Sequence, residues 1–343
     1  MSPIKLTQFS KGSGCGCKVA PHVLEEILKG SAADTKFPLL LVGNSTKDDA
    51  AVYDTGHGIL LISTIDFFTP IVNDAFTFGK IAAANALSDV YAMGGTPTMA
   101  IAVMGFPVEK LPVEIAQQII AGAKEICNEA NIPLAGGHTI DASEPFFGLS
   151  VNGSLAKENL RQNSTAQAGD VIYLTKPIGT GAIATAMKRE LMTEAESSEA
   201  IDSMCRLNKA GSLFSTLDFV HAMTDVTGFG LLGHLIEMCD GAQLSAEIDY
   251  ARVPLLQGMK ELCAKFIYAD NTMRNWKSYE AKTAGIGSES LLTLCDPQTN
   301  GGIMVAVAEN QKATFIQLAE SNNCSVFEIG KFFERKEKAV FVK

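Results

Sequence analysis

The sequence lacks any apolar run approaching the roughly 18 residues of a membrane-crossing helix, and Met1–Lys18 is polar and glycine-rich rather than basic and then apolar. Those two absences argue against a membrane partner and a secretory leader, and predict a cytoplasmic protein. Basic residues are scarce: 28 Lys and Arg against 38 Asp and Glu leave a formal charge of −10. Nucleic-acid binders draw affinity from clustered Lys and Arg, so no nucleic-acid partner is expected, and any phosphate ligand should be met through metal ions. A disulfide framework is missing too. The eight cysteines (15, 17, 127, 205, 239, 263, 295 and 324) stand mostly alone among apolar residues, as reduced buried thiols do. The Gly-rich stretch ending at Lys18 is no Walker A loop, because no strand precedes it and the Gly-Lys-Ser/Thr ending is absent.

What is present is apolar material for a large core. With 47% hydrophobic residues over 343 positions, the chain has enough for two packed domains. A loose segment and a short amphipathic helix, Pro21–Leu28, occupy 1–36. Strand signals follow at Leu39–Val42, Ala50–Tyr53, Ile59–Ile65 and Met99–Gly105, with helices near Phe78–Met93 and Val113–Ala130 and a strand pair near Phe146–Leu155. Residues 156–170 are polar and turn-rich, and a strand at Val171–Thr175 restarts the alternation. This predicts domains at 37–160 and 161–343 and a mixed α/β (α+β) architecture.

Acidic residues cluster where strands end. Thr46-Lys-Asp-Asp-Ala-Ala-Val-Tyr53, Asp54–Gly58 and Ile59–Asp66 read as a hairpin. With Tyr53 opposite Ile59, Asp49 faces Ser63 and Asp66 comes beside Thr46, so Asp48, Asp49 and Asp66 gather at one sheet end. Crowded carboxylates repel unless a hard cation such as Mg²⁺ neutralises them; the bland alternative is a solvated acidic loop. Asn85 and Asp89, four apart on a small-residue apolar helix, share one face, either as a locally bonded core pair or as a ligand carboxylate supported by Asn85. Asp225 ends an apolar stretch, and Gly228 and Gly230 then open a helix whose free N–H groups suit a phosphate; an ordinary N-cap would explain it as well. Gly136-Gly-His-Thr139 reads as a turn that offers backbone amides. In Gly12–Lys18, glycine gives mobility to Cys15 and Lys18, a thiol and an amine able to handle a nucleophile and developing phosphate charge. Gly179-Thr-Gly-Ala-Ile-Ala184 fits a dinucleotide fingerprint, but no second strand ends in an acidic residue about 20 positions on, so it reads as a tight turn packing helix on sheet.

Taken in order, Gly-Cys-Gly-Cys-Lys18, Asp-Asp-Ala-Ala-Val-Tyr53, Thr-Asp-Val-Thr-Gly-Phe-Gly230 and Cys-Asp-Pro-Gln-Thr-Asn-Gly-Gly302 resemble the selenophosphate synthetase (selenide, water dikinase) family over roughly residues 5–340. The resemblance implies a two-domain aminoimidazole-ribonucleotide-synthetase-like (PurM-like) fold, dimerising through the N-terminal domains. It implies conversion of ATP, selenide and water to selenophosphate, AMP and phosphate, a selenium donor for selenocysteine and selenouridine synthesis. It also implies several Mg²⁺ ions, with K⁺ as a further cofactor. By the same resemblance Cys15 and Lys18 are catalytic, Lys18 also touching ATP, and Asp49, Asp89 and Asp225 are metal ligands, Asp89 also lying at the nucleotide. Thr46, Lys47, Asp48 and Asp66 surround the nucleotide, while Gly137, His138 and Thr139 reach the ATP of the other subunit of a homodimer. One departure is visible: the family commonly has Gly-Gly-Thr-Glu-Arg-Asn where this chain reads Ala269-Asp-Asn-Thr-Met-Arg-Asn275. Two other readings use the same residues: a small-metabolite kinase or amidine-forming synthetase, and a thiol-based selenium or metal carrier centred on Cys15 and Cys17.

Overall fold

The computed structural model describes residues 4–14, 16, 18, 19, 21–29, 37–43 and 47–343; Cys15, Cys17 and Thr46 lie outside them. Among the described residues no helix is long and apolar enough to cross a membrane.

The first sheet contains β1 (Leu40–Val42), β2 (Ala51–Asp54), β3 (Ile59–Phe68), β4 (Thr96–Phe106), β5 (Leu134–Asp141) and β6 (Phe146–Ala156), in the order β1-β2-β3-β6-β4-β5. All neighbours are antiparallel except β4 and β5. Helix α1 (Pro21–Leu28) precedes the sheet; α2 (Ala75–Ala92) and α3 (Val113–Glu129) belong to it, α3 making the crossover that a parallel pair requires. Strand β3 shows how period two sorts chemistry. Leu60, Ile62 and Phe68 are buried on one face, and Thr64 and Asp66 share that face, which looks toward α2; Ile59, Leu61, Ile65 and Phe67 stand exposed on the other.

Helix α2 is capped by Asp74, whose Oδ1 accepts from the Thr77 amide at 2.7 Å, and its small side chains are buried almost all round. Glycines let it lie close against α3: a Cβ at Gly79 would sit 1.9 Å from the Ile119 carbonyl oxygen, and one at Gly122 would sit 1.9 Å from that of Phe76. On its other side α2 meets α5 (Ser198–Cys205), α6 (Ala210–Phe214) and β8 (Val220–Asp225), which places it between the two sheets; α4 (Thr180–Lys188) precedes these along the chain.

The second sheet adds β7 (Val171–Leu174), β9 (Leu244–Ile248), β10 (Thr283–Ala284), β11 (Ile303–Val307), β12 (Phe327–Glu334) and β13 (Val340–Val342), in the order β10-β13-β9-β12-β7-β11-β8. Both of its faces are covered, so β7 and β11 bury every residue. Val171, Tyr173, Ile303 and Val305 join the core shared with α2; Ile172, Leu174, Met304 and Ala306 join a second core beneath α7 (Gly230–Ala242).

Three local expectations change. Gly136–Thr139 is no turn but part of edge strand β5. Phe146–Ala156 is one strand rather than a pair, and its glycines sit where a Cβ would strike a neighbour, Gly148 the Asp66 carbonyl oxygen at 1.9 Å and Gly153 the Val90 side chain at 2.3 Å. The β2–β3 register is displaced by two residues, Tyr53 pairing with Leu61 and Asp54 with Leu60, because the turn needs only Thr55–Gly58, with Gly56 and Gly58 at φ 81° and 77°.

Replacing Gly122 by Ala drives a methyl into backbone that has no free rotamer to yield. Gly122→Ala should lower unfolding free energy by about 1–3 kcal/mol, read as a lower urea midpoint at unchanged slope.

Candidate active site

Between the sheets lies a cavity of about 570 Å³, within the range of small-ligand sites, lined by Lys18, Lys47, Asp48, Asp49, Asp66, Asp89 and Asp225. Seven of the predicted residues thus face one space. Asp48 and Asp49 enter from the loop before β2, Asp66 from the buried face of β3, Asp89 from α2 and Asp225 from the end of β8.

Each side chain is held. Asp66 lies 3.3 Å from Lys18 Nζ through Oδ1, and its Oδ2 accepts from Asn85 Nδ2 at 2.6 Å. Asn85 Oδ1 in turn accepts from the Asn300 amide at 2.7 Å. Where the helical spacing suggested that Asn85 supports Asp89, its amide therefore reaches across to β3, and Asp89 takes a hydrogen bond from Thr64 Oγ1 at 2.5 Å. Asp49 Oδ1 accepts from Thr224 Oγ1 at 2.9 Å, and Asp48 Oδ1 from the Asn163 amide at 2.7 Å. Both bonds cross from one half of the chain to the other. The departing segment also matters: Asn271 Nδ2 donates to the Lys18 carbonyl at 3.1 Å, and Asn275 Nδ2 to the carbonyls of Gly228 and Cys295, each at 3.0 Å.

The electrostatics are strained. Burial pushes the Asp49 carboxyl well above the usual carboxylate range, and Asp225, Asp89 and Asp48 push it further. Burial does the same to Asp89, reinforced by Asp225 and Asp66 and opposed by Lys18. Asp225 is raised by burial against a hydrogen bond from Ser88. Among the described residues, Oδ2 of Asp49 and Oδ2 of Asp225 are enclosed with no hydrogen-bond partner. Orphaned carboxylate oxygens in a negative pocket fit a hard divalent cation. Among the described residues no three His, Cys, Asp or Glu side chains converge into a ready cage for one ion. Mg²⁺ needs no such cage, since it takes one or two carboxylates and completes its shell with water and substrate phosphates.

Not every predicted residue comes here. Cys15 and Thr46 lie outside the described residues. Gly137, His138 and Thr139 stand on exposed β5, three strand spacings (roughly 14 Å) across the sheet from β3, and do not line the cavity. Sequence reasoning passed over His234 and Glu237, which do line it, their rings and carboxyl 3.3 Å apart on α7, with Phe229 stacked on His234 at 5.7 Å. Their i, i+3 spacing beside Gly230 was the available signal. The fingerprint at Gly179–Ala184 has its helix N-terminus filled from within: Gln298 Oε1 accepts from the amides of Gly179 and Thr180, and Asp296 Oδ2 from that of Gly181.

Residues 47–155 match the AIR synthase related protein N-terminal domain and residues 167–343 the corresponding C-terminal domain. The chain is 50% identical over 331 residues to a selenide, water dikinase of Aeromonas salmonicida, covering 96% of each chain. It is 50% identical over 339 residues to one of Pseudomonas aeruginosa, covering 99% of this chain and 98% of the relative. A solved thiamine-monophosphate kinase from Stenotrophomonas maltophilia shares the fold, with a TM-score of 0.66 at 19% identity over 95% of this chain and 97% of that one.

Asp225→Asn removes one buried charge while keeping its shape. The metal-free variant should melt a few degrees higher than wild type at pH 8, yet lose the stabilisation that Mg²⁺ with an ATP analogue confers, both read by thermal denaturation. For the wild type without metal the sign follows from the raised carboxyls. Between their folded-state values and the ordinary carboxylate range, the folded chain holds protons that the unfolded chain does not, so stability should rise as pH falls through that window.

Proposed function

Because the chain belongs to the selenide, water dikinases, it is a selenophosphate synthetase, and we propose that the carboxylate cavity between its sheets is where ATP and selenide react. The observation that carries this reading is the meeting of Lys18 and Asp66 with the buried carboxyls Asp49, Asp89 and Asp225 in one ligand-sized space. The products are selenophosphate, AMP and phosphate. Asp49, Asp89 and Asp225 hold Mg²⁺, which when bound neutralises triphosphate charge, with K⁺ as an additional cation. Asp66, fixed by Asn85, pairs with Lys18 and holds it at the cavity, where its ammonium meets developing phosphate charge. Cys15 handles the selenium nucleophile, and Thr46, Lys47 and Asp48 border the nucleotide.

Tyr53, Ile59, Leu61, Ile65, Phe67, Met99 and Ile101 are exposed on the first sheet, an apolar surface that favours a homodimer. Against a second copy, Gly137, His138 and Thr139 of each edge strand extend toward the other chain's nucleotide.

Incubated anaerobically with selenide and Mg²⁺, the protein should convert ATP to AMP, and Lys18→Ala should slow this by at least about a hundredfold, followed by ³¹P NMR. ADP as the sole final product would instead mark an ordinary kinase. Light scattering should give a mass twice that of the 36.5 kDa chain, and Leu61→Asp should shift it to the monomer.

A further inference from the structure

In the second half of the chain lies a further cavity of about 170 Å³, lined by Lys176, Arg206, Asn208, Asn323, Cys324 and Ser325, among others. No Asp or Glu is among the described residues lining it. At its base Lys176 is only 2% exposed, and its Nζ donates to the carbonyls of Arg206 at 2.7 Å and Asn300 at 2.9 Å. An ammonium has three donors, and among the described residues neither a carboxylate nor a third acceptor meets this one. Burial, and then the Arg206 charge, holds its pKa well below that of an ordinary lysine, against an opposing pull from Asp225, so an anion at the amine would help it keep its proton. Arg206 is exposed, and its guanidinium makes no hydrogen bond or ion pair with described residues.

Two cations converging on one small pocket, one of them buried, are destabilising unless an anion completes them. We propose that this cavity binds a small tetrahedral oxyanion of the size and charge of inorganic phosphate, with Lys176 Nζ at its base and the Arg206 guanidinium at its mouth. The volume holds an oxyanion with a few waters of about 30 Å³ each, but falls short of the roughly 300 Å³ at which sites for larger ligands begin. Lys176 can serve its two carbonyls and still direct its remaining N–H at the guest, while Arg206 offers the fork that matches paired oxyanion oxygens. The site is independent of the reading of the carboxylate cavity, so either can fail alone. It is nonetheless wired to it: Asn300, which accepts from Lys176, donates its amide to Asn85, and Asn85 holds Asp66.

The test is equilibrium dialysis of the full chain against ³²P-labelled inorganic phosphate, with Mg²⁺ and a non-hydrolysable ATP analogue filling the nucleotide cavity and chloride keeping ionic strength constant. Wild type should bind one equivalent. Arg206→Ala, which leaves in place the carbonyl that Lys176 uses, should weaken binding about tenfold or more, with Arg206→Lys recovering part of the loss and melting in chloride unchanged. Lys176→Met should abolish binding, but Arg206→Ala decides the matter should that variant fail to fold. No binding by wild type, or equal affinity in Arg206→Ala, would overturn the proposal, as would Arg206-dependent displacement of the phosphate by AMP.

Discussion

Mutual repulsion among carboxyls withdrawn from water is the constraint that organises this molecule. Asp49, Asp89 and Asp225 come from a loop, a helix and a strand end; Asp225 raises the proton affinity of both Asp49 and Asp89, and Asp89 that of Asp49. Left to a pliable chain, such groups would turn outward and hydrate. They stay because their supports are stiff. Helix α2 is locked to α3 through Gly79 and Gly122, β8 is laddered to β11, and the Thr224–Asp49 and Asn163–Asp48 bonds join the halves beside the cavity.

A second support is polar and buried. Asn300 adopts a left-handed backbone at φ 47°, a conformation asparagine tolerates better than most residues, and its amide reaches Asn85 while its side chain bonds the carbonyls of Met204 and Arg206. A network with its members satisfied in this way rigidifies the region and fixes Asp66 beneath Lys18. The same network carries Lys176, so a buried lysine of the second half and Asp66 of the first both rest, through hydrogen bonds, on Asn300.

Much of the site was legible because its logic is local. Hairpin pairing already gathered Asp48, Asp49 and Asp66 at one sheet end, the four-residue spacing of Asn85 and Asp89 put them on one helix face, and Asp225 stood visibly at a strand end before glycines. The misreadings share a cause, which is that glycine has two meanings. At Gly136 and Gly137 it looked like a turn but lies in strand β5, whereas Gly148 and Gly153 make room for a neighbouring strand or side chain known only once the sheet is assembled. Likewise the carboxyl that the Asn85 amide reaches lies off the helix, on strand β3 19 residues away, which helical spacing does not reveal.

The chain by itself determined the alternation of strands and helices, the apolar supply for two cores and the identity of the acidic and basic groups, since these follow from side-chain type and short-range period. Tertiary structure alone decided which carboxyls share a cavity, which oxygens are left without donors, where edge strand β5 lies and that Lys176 and Arg206 meet. Those outcomes depend on the closure of segments far apart in sequence, and no local pattern encodes the distance between them.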